Sequence, residues 1–260
     1  MGYDKTMDAK TGLEGVLAEV AVVTGRTVHS SSSLYSPIIS CRLSAVIEII
    51  EVRTVVRVLG RANSINVQKV MWCAAEIGLK VERVDVGGTF GGNDTLEYLA
   101  KNPNGRVPTI EDGDYVLWES HSIVRYLAET YGNPPWQPED ARIRACANQW
   151  MDWYLANLHP PMTTIFWQLI RTAPEDRDGD AITTATAEAA KLFAILDAQL
   201  AQRPHITGEE PSIGDIPIGC SAYRWHTMEV DRPDLANLKA WYERLNSRPA
   251  FQEHVMLPLT

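Results

Sequence analysis

The sequence has no Cys-x-x-Cys pair, and its four cysteines, Cys41, Cys73, Cys146 and Cys220, lie far apart in 260 residues. That scatter excludes the usual dithiol redox site and the zinc ribbon, and it fits a reduced, cytoplasmic protein. The six histidines form no His-x-x-x-His or Cys/His cluster, so no metal is expected. There is no basic surplus: the formal net charge is −9. A general nucleic-acid binder needs a basic face, so no nucleic-acid partner is expected. No apolar run reaches the length of a membrane span. The stretch Leu43–Ile47 is cut off by Glu48 and Glu51, and no membrane partner is expected.

What remains is the composition of a globular protein, 45% hydrophobic and 22% charged, long enough for one large or two modest domains with their own cores. Residues 1–54 stand apart. They carry the run Ser30–Ser33, show little helical or strand period, and contain no turn chemistry joining them to the segment that starts at Val55. Asp4, Asp8, Glu14 and Glu19 are unlike an Arg-rich transit peptide, and no charged start, apolar core and cleavage site occur in order. These residues are expected to be an extension outside the fold, either disordered or not native.

From Val55 the pattern alternates. Val55–Leu59 reads as a strand. Asn63-Ser64 then caps a helix with apolar Ile65, Val67, Val70, Met71, Cys73, Ala74 and Ile77, stopped by Gly78. Lys80–Val86 reads as a second strand, Gly87–Asn93 as a glycine-rich loop and Thr95–Lys101 as a short helix. Pro108–Ile110 and Tyr115–Trp118 form a hairpin around Asp112-Gly113, and Ser122–Tyr131 closes the unit. The order βαβαββα over residues 55–133 is a thioredoxin-like domain.

Gly132–Pro138 has linker composition, and residues 139–260 are helical in period. The first helix carries Ile143, Cys146, Ala147, Trp150, Met151 and Tyr154, and Pro160-Pro161 is expected to break or kink it. Ala181–Arg203 reads as a long amphipathic helix with shorter helices after it. Ser212-x-x-Asp215 is a capping box ahead of the apolar helix Ile216–Trp225, with the serine side chain expected on the Asp215 N–H.

The segment Asn102–Ile110, with Glu119-Ser120 eleven residues past its proline, is the most specific part of the chain. A proline entering a strand after an exposed loop points to a cis Val107–Pro108 bond. Such a turn frees the Val107 backbone to pair with a peptide as an added strand. Glu119-Ser120 opens a helix whose hydroxyl and free N–H groups can hold a carboxylate. A backbone clamp beside an anion pocket suits a small carboxylate-bearing peptide.

This order resembles the N-terminal domain of soluble glutathione transferases, and the Ser212/Asp215 box resembles the capping motif of their helical domain. The resemblance spans Val55 to the C-terminus. It implies a cytoplasmic homodimer, with glutathione as co-substrate and an electrophile site between the domains, lined from the helical domain, residues 139–260. Thiolate formation requires about 2.7 kcal/mol for a two-unit fall in thiol pKa. The turn from Gly60 to Asn66 supplies donors and a helix N-terminus for that purpose. By its spacing to Gly78, Ser64 matches the serine of theta- and zeta-class enzymes, and Asn66 matches the asparagine of nu-class enzymes. Ser64 and Asn66 are therefore the expected catalytic pair, in a bacterial theta/nu-like member.

The resemblance further implies that Val107 and Pro108 clamp the cysteinyl unit and that Glu119 and Ser120 hold the γ-glutamyl group. Arg106 would serve the glycyl end, and Asp152 would reach the γ-glutamyl amine of the partner subunit. His121 is expected to cap or pack. Trp150, Trp153 and Trp167 are expected to line the electrophile site. The readings are conjugation of small electrophiles, a glutathione-dependent disulfide reductase, or a non-catalytic binding or stress protein of the same family.

Overall fold

The computed structural model describes residues 55–260, so the expectations for residues 1–54 fall outside the described residues. β1 (Val56–Leu59) pairs in parallel with β2 (Val81–Val84) and antiparallel with β3 (Thr109–Asp112), which turns back into β4 (Tyr115–Trp118). The sheet order is β2-β1-β3-β4. The hairpin loop falls at Gly113-Asp114, with Asp112 still paired to Tyr115; Gly113 takes φ +63°, which a Cβ would disfavour.

α1 (Ile65–Glu76) connects β1 to β2, and α2 (Leu96–Lys101) connects β2 to β3. α3 (Ser120–Tyr131) follows β4 and packs on α1. This is the expected βαβαββα order. Of the positions its period marks as apolar, α1 buries Val67, Val70, Cys73 and Ala74, while Ile65, Met71 and the following Ile77 are partly buried against the core. Gly78, at φ +71°, ends it: the Gly78 N–H reaches the Ala75 carbonyl and the Leu79 N–H reaches that of Ala74. That pair of bonds satisfies two carbonyls the helix would leave open. α3 begins at Ser120, two residues before the expected Ser122, because Glu119 sits at φ +70° and only the next residue is helical.

The helical lobe starts at α4 (Ala141–Trp153), capped by the Asp140 side chain on the Arg142 N–H at 2.8 Å. Pro160-Pro161 does not break the run. A wide turn, Tyr154–Leu158, passes the helix into α5 (His159–Phe166), with the His159 N–H bonding five residues back to the Tyr154 carbonyl. A π-type bulge is one of the few ways a helix absorbs missing donors without stopping. A second wide turn, Trp167–Arg171, ends the run. α6 (Gly179–Leu200), α7 (Asp215–Thr227), α8 (Ala236–Asn246) and α9 (Pro249–His254) complete the lobe.

α7 is buried from Asp215 to Trp225, all but its last two residues. A Cβ on its Gly219 would come within 2.9 Å of the Trp72 ring of α1, so glycine is what lets the two lobes close on each other. Trp72 meets Phe251 edge-on at 4.8 Å. Arg248 grips Glu76 at 2.5 and 2.6 Å. Among the described residues no helix is long and apolar enough to cross a membrane, and no cluster of three or more His, Cys, Asp or Glu could hold a metal.

Candidate active site

The site grows from the point where β1 ends. A Cβ on Gly60 would lie 2.5 Å from the Val67 side chain and 3.1 Å from Val107, so strand, helix and proline loop meet there only because the residue is glycine. The Val107–Pro108 bond is cis, as expected. α2 holds that loop in place: the Tyr98 hydroxyl and the Asn102 amide donate to the Arg106 carbonyl at 2.7 and 2.8 Å. Asn102 also donates to Thr109 Oγ1 at 3.1 Å. Val107 is half-buried, and its N–H and C=O take no partner among the described residues. The Arg106 side chain is exposed on the same loop.

Ser64 occupies the N-cap of α1 with φ −79° and ψ 123°, yet its hydroxyl makes no cap hydrogen bond. It instead lines a cavity of about 430 Å³ between the lobes. Tyr154, His159, Met162, Phe166 and Trp167 form much of the opposite wall. A hydroxyl at the positive end of a helix, unused by the helix, is placed to donate to an anion.

Asn66 takes a different direction from Ser64. Its carbonyl accepts from Ser120 Oγ at 3.3 Å and from Lys69 Nζ at 2.9 Å, and its side chain is not part of the cavity wall. It ties the start of α1 to the start of α3. Ser120 is buried, and Glu119 beside it is exposed at φ +70°, the one non-glycine residue with positive φ among the described residues. Positive φ on such a side chain costs roughly 1–3 kcal/mol and is typical of residues held for a ligand.

Behind this surface lies a polar cluster that the sequence pattern did not reveal. Lys69 is fully buried and contacts His121 Nε2 at 3.3 Å and the Tyr154 ring face at 4.5 Å. Burial pulls its ammonium down to about 7. The Tyr154 hydroxyl accepts from Ser221 at 3.0 Å and lies 3.2 Å from His159 Nδ1. One signal was present: Ile65, Lys69 and Cys73 are four apart on the apolar stripe of α1, and a charge there requires partners. His121 packs, as expected, 3% exposed.

Burial, and then the charges of Lys69, Arg125 and His159, push His121 down to about 2 from its ordinary 6.5. Burial likewise lowers His159 to about 4. Below pH 6.5 the unfolded chain gains protons that these folded histidines refuse. Stability must therefore fall as pH drops from 6.5 toward 4. His121→Gln is expected to flatten that slope by roughly 1.4 kcal/mol per pH unit. Urea midpoints between pH 4.5 and 6.5 measure it; parallel slopes for the two proteins would count against a neutral buried His121.

Two expectations need correction. Trp150 and Trp153 do not line the cavity; they pack edge-on against each other at 5.1 Å, and the helix turns Tyr154 rather than Trp153 inward. Only Trp167 of the three lies on the wall, 58% exposed. In the capping box, Ser212 Oγ accepts from the Gly214 N–H at 3.2 Å instead of that of Asp215, while the Asp215 carboxylate accepts from the Ser212 N–H at 2.9 Å as expected. Asp152 lies outside the cavity wall and pairs with Arg125 of α3.

Comparisons with known proteins bear on both lobes. Residues 54–129 match the family described as glutathione S-transferase, N-terminal domain, and residues 179–244 match glutathione S-transferase, C-terminal domain. Glutathione S-transferase GstB of Escherichia coli is 42% identical over 204 residues, covering 77% of this chain and 98% of that protein. Glutathione S-transferase 3 of Zea mays is 31% identical over 216 residues, 76% of this chain and 92% of its own. The theta class glutathione S-transferase of Xanthomonas axonopodis pv. citri, solved with glutathione bound, superposes with a TM-score of 0.76 at 46% identity, covering 79% of this chain and 99% of that one.

Proposed function

The chain belongs to the glutathione S-transferase family, and on that premise we propose that it joins the thiolate of glutathione to small electrophiles. The observation that carries this reading is Ser64: a hydroxyl at the mouth of α1, released from capping and turned to a cavity between the lobes. The Ser64 O–H donates to the sulfur and the α1 N-terminus adds its partial positive charge, so the thiolate is stabilised over the thiol. The thiolate then attacks the electrophilic carbon, and the leaving group departs with its electron pair.

Val107, on the turn made by Pro108, pairs its backbone with the cysteinyl unit. Ser120 and Glu119 hold the γ-glutamyl carboxylate and amine, and Arg106 faces the glycyl end. Asn66 acts through Ser120, which accounts for its carbonyl facing that hydroxyl. The working unit is a cytoplasmic homodimer in which Asp152 reaches the partner's γ-glutamyl amine. The Asp152 side chain is 67% exposed, which leaves it open to a partner subunit.

Retention on immobilised glutathione together with turnover of 1-chloro-2,4-dinitrobenzene tests the reading. Retention without turnover would point to a non-catalytic binding protein. Activity confined to glutathione-capped disulfides would point to the reductase. A further variant probes the ligand role of Glu119. Glu119→Gly relieves the positive φ and is expected to raise stability by about 1 kcal/mol while weakening glutathione binding. Urea denaturation beside glutathione titration measures both; unchanged affinity would remove Glu119 from the site.

A further inference from the structure

Three guanidinium groups, Arg61, Arg171 and Arg224, line the same cavity as Ser64. None of them forms an ion pair or a side-chain hydrogen bond with a described residue. By contrast Arg57, Arg83, Arg125 and Arg248 all grip carboxylates. No aspartate or glutamate lies in the cavity wall, although the chain holds 33 acidic residues against 24 basic ones. The wall is thus positive within an acidic protein.

Arg224 is the most enclosed of the three. It is 8% exposed, on the buried helix α7, and its Nε is sealed from solvent without a hydrogen-bond partner among the described residues. Its guanidinium lies 3.8 Å from the Phe166 ring centre. That contact steadies the cation but offers no acceptor to its five N–H donors. Burial lowers it to about 10, so it stays protonated at neutral pH. Burial and the nearby Arg171 charge lower Arg61 as well. A buried cation with no counter-ion among the described residues, beside two like charges, is costly, and an anion entering the cavity removes that cost.

We propose that the electrophile this site takes carries a carboxylate, held by Arg224 with Arg61 and Arg171, while Met162, Phe166 and Trp167 receive its carbon skeleton. The inference rests on the conjugation reading above and names its substrate class. The sulfur of glutathione bonds to the carbon under attack, the leaving group departs as an anion with its electron pair, and the thiol proton has already passed to solvent. The carboxylate is unchanged by the reaction and serves to orient the carbon toward Ser64. Val107, Glu119 and Ser120, the residues assigned to glutathione, are absent from this wall, so the three arginines lie on the side left for the second substrate.

The test is a matched pair of probes, 4-chloro-3-nitrobenzoate and 4-chloro-3-nitrobenzamide, which share ring and leaving group and differ in charge. Each kcat/KM is divided by the uncatalysed rate with glutathione. The full chain is expected to prefer the benzoate by roughly tenfold or more, the scale of one charge-assisted hydrogen bond. Arg224→Gln should bring that preference toward unity. Arg171→Gln, at an exposed position, should reduce it independently if the buried variant fails to fold. Equal turnover of the two probes by the unmodified protein would overturn the inference and leave conjugation standing. A preference that survives both substitutions would also overturn it. A rise in the KM for glutathione, equal with either probe, would assign the arginines to glutathione instead. Turnover of 1-chloro-2,4-dinitrobenzene but of neither probe would overturn the inference alone; turnover of none of the three would remove the conjugation reading as well.

Discussion

Ser64→Ala is expected to lower kcat with a neutral aryl halide by about 10²–10³-fold, equivalent to about 2.7–4 kcal/mol for a lost donor to a developing anion. The fold should hardly notice. An N-cap serine that caps its helix loses about 1 kcal/mol on replacement by alanine, but this hydroxyl makes no cap hydrogen bond. Kinetics and urea denaturation together separate the two roles. Full activity with a destabilised protein would make Ser64 a cap and nothing more. Asn66→Ala should act differently. Its carbonyl engages Ser120 and Lys69, so the expected effect is a higher KM for glutathione with a smaller change in kcat. A collapse of kcat in Asn66→Ala, with Ser64→Ala unaffected, would transfer thiolate activation to the asparagine.

The largest loss of stability is expected at Asp215. Its carboxylate is fully buried and accepts from the Ser212 N–H at 2.9 Å, Ser212 Oγ at 3.1 Å, the Ile206 N–H at 3.1 Å and Trp241 Nε1 at 2.9 Å. One side chain thus starts α7, fixes the loop before it and anchors α8. Alanine would leave these donors buried and unpaired, at roughly 1–3 kcal/mol for each that finds no water. The expected total is about 3–5 kcal/mol, a large part of an ordinary domain's stability of roughly 5–15 kcal/mol. Asparagine preserves the shape but aims an NH₂ group at donors on one side, so it should rescue only part of the loss. Urea unfolding monitored by tryptophan fluorescence measures both variants. A cost below about 1 kcal/mol for Asp215→Ala would show that water or a loop shift replaces the carboxylate.

Local features were legible in the residues alone. The period of α1, its end at Gly78, the presence of a hairpin between Pro108 and Trp118 and the Asp215 half of the Ser212/Asp215 box are each written within about fifteen residues; the hairpin loop itself falls one residue later than expected, at Gly113-Asp114. Short-range sterics and hydrogen bonds decide them. Glu119-Ser120, Val107-Pro108 and Ser64 were legible for the same reason: each is a backbone device at the end of an element. Even there, φ at Glu119 moved the start of α3 to Ser120, because the strain is imposed by the turn and not by the residue type.

Where side chains from distant segments point was decided by the packed fold. Asn66 faces Ser120, 54 residues away, and so leaves the cavity to Ser64. Trp153 is half-buried against Trp150, away from the cavity, while the fully buried Tyr154 supplies the cavity wall at the start of the wide turn Tyr154–Leu158. Lys69 is buried against His121 and Tyr154, and Arg61 of the first lobe meets Arg171 and Arg224 of the second around one cavity. Such meetings depend on packing between helices far apart in the chain. A helical period identifies the face that is buried, but the partner across that face is chosen by the fold.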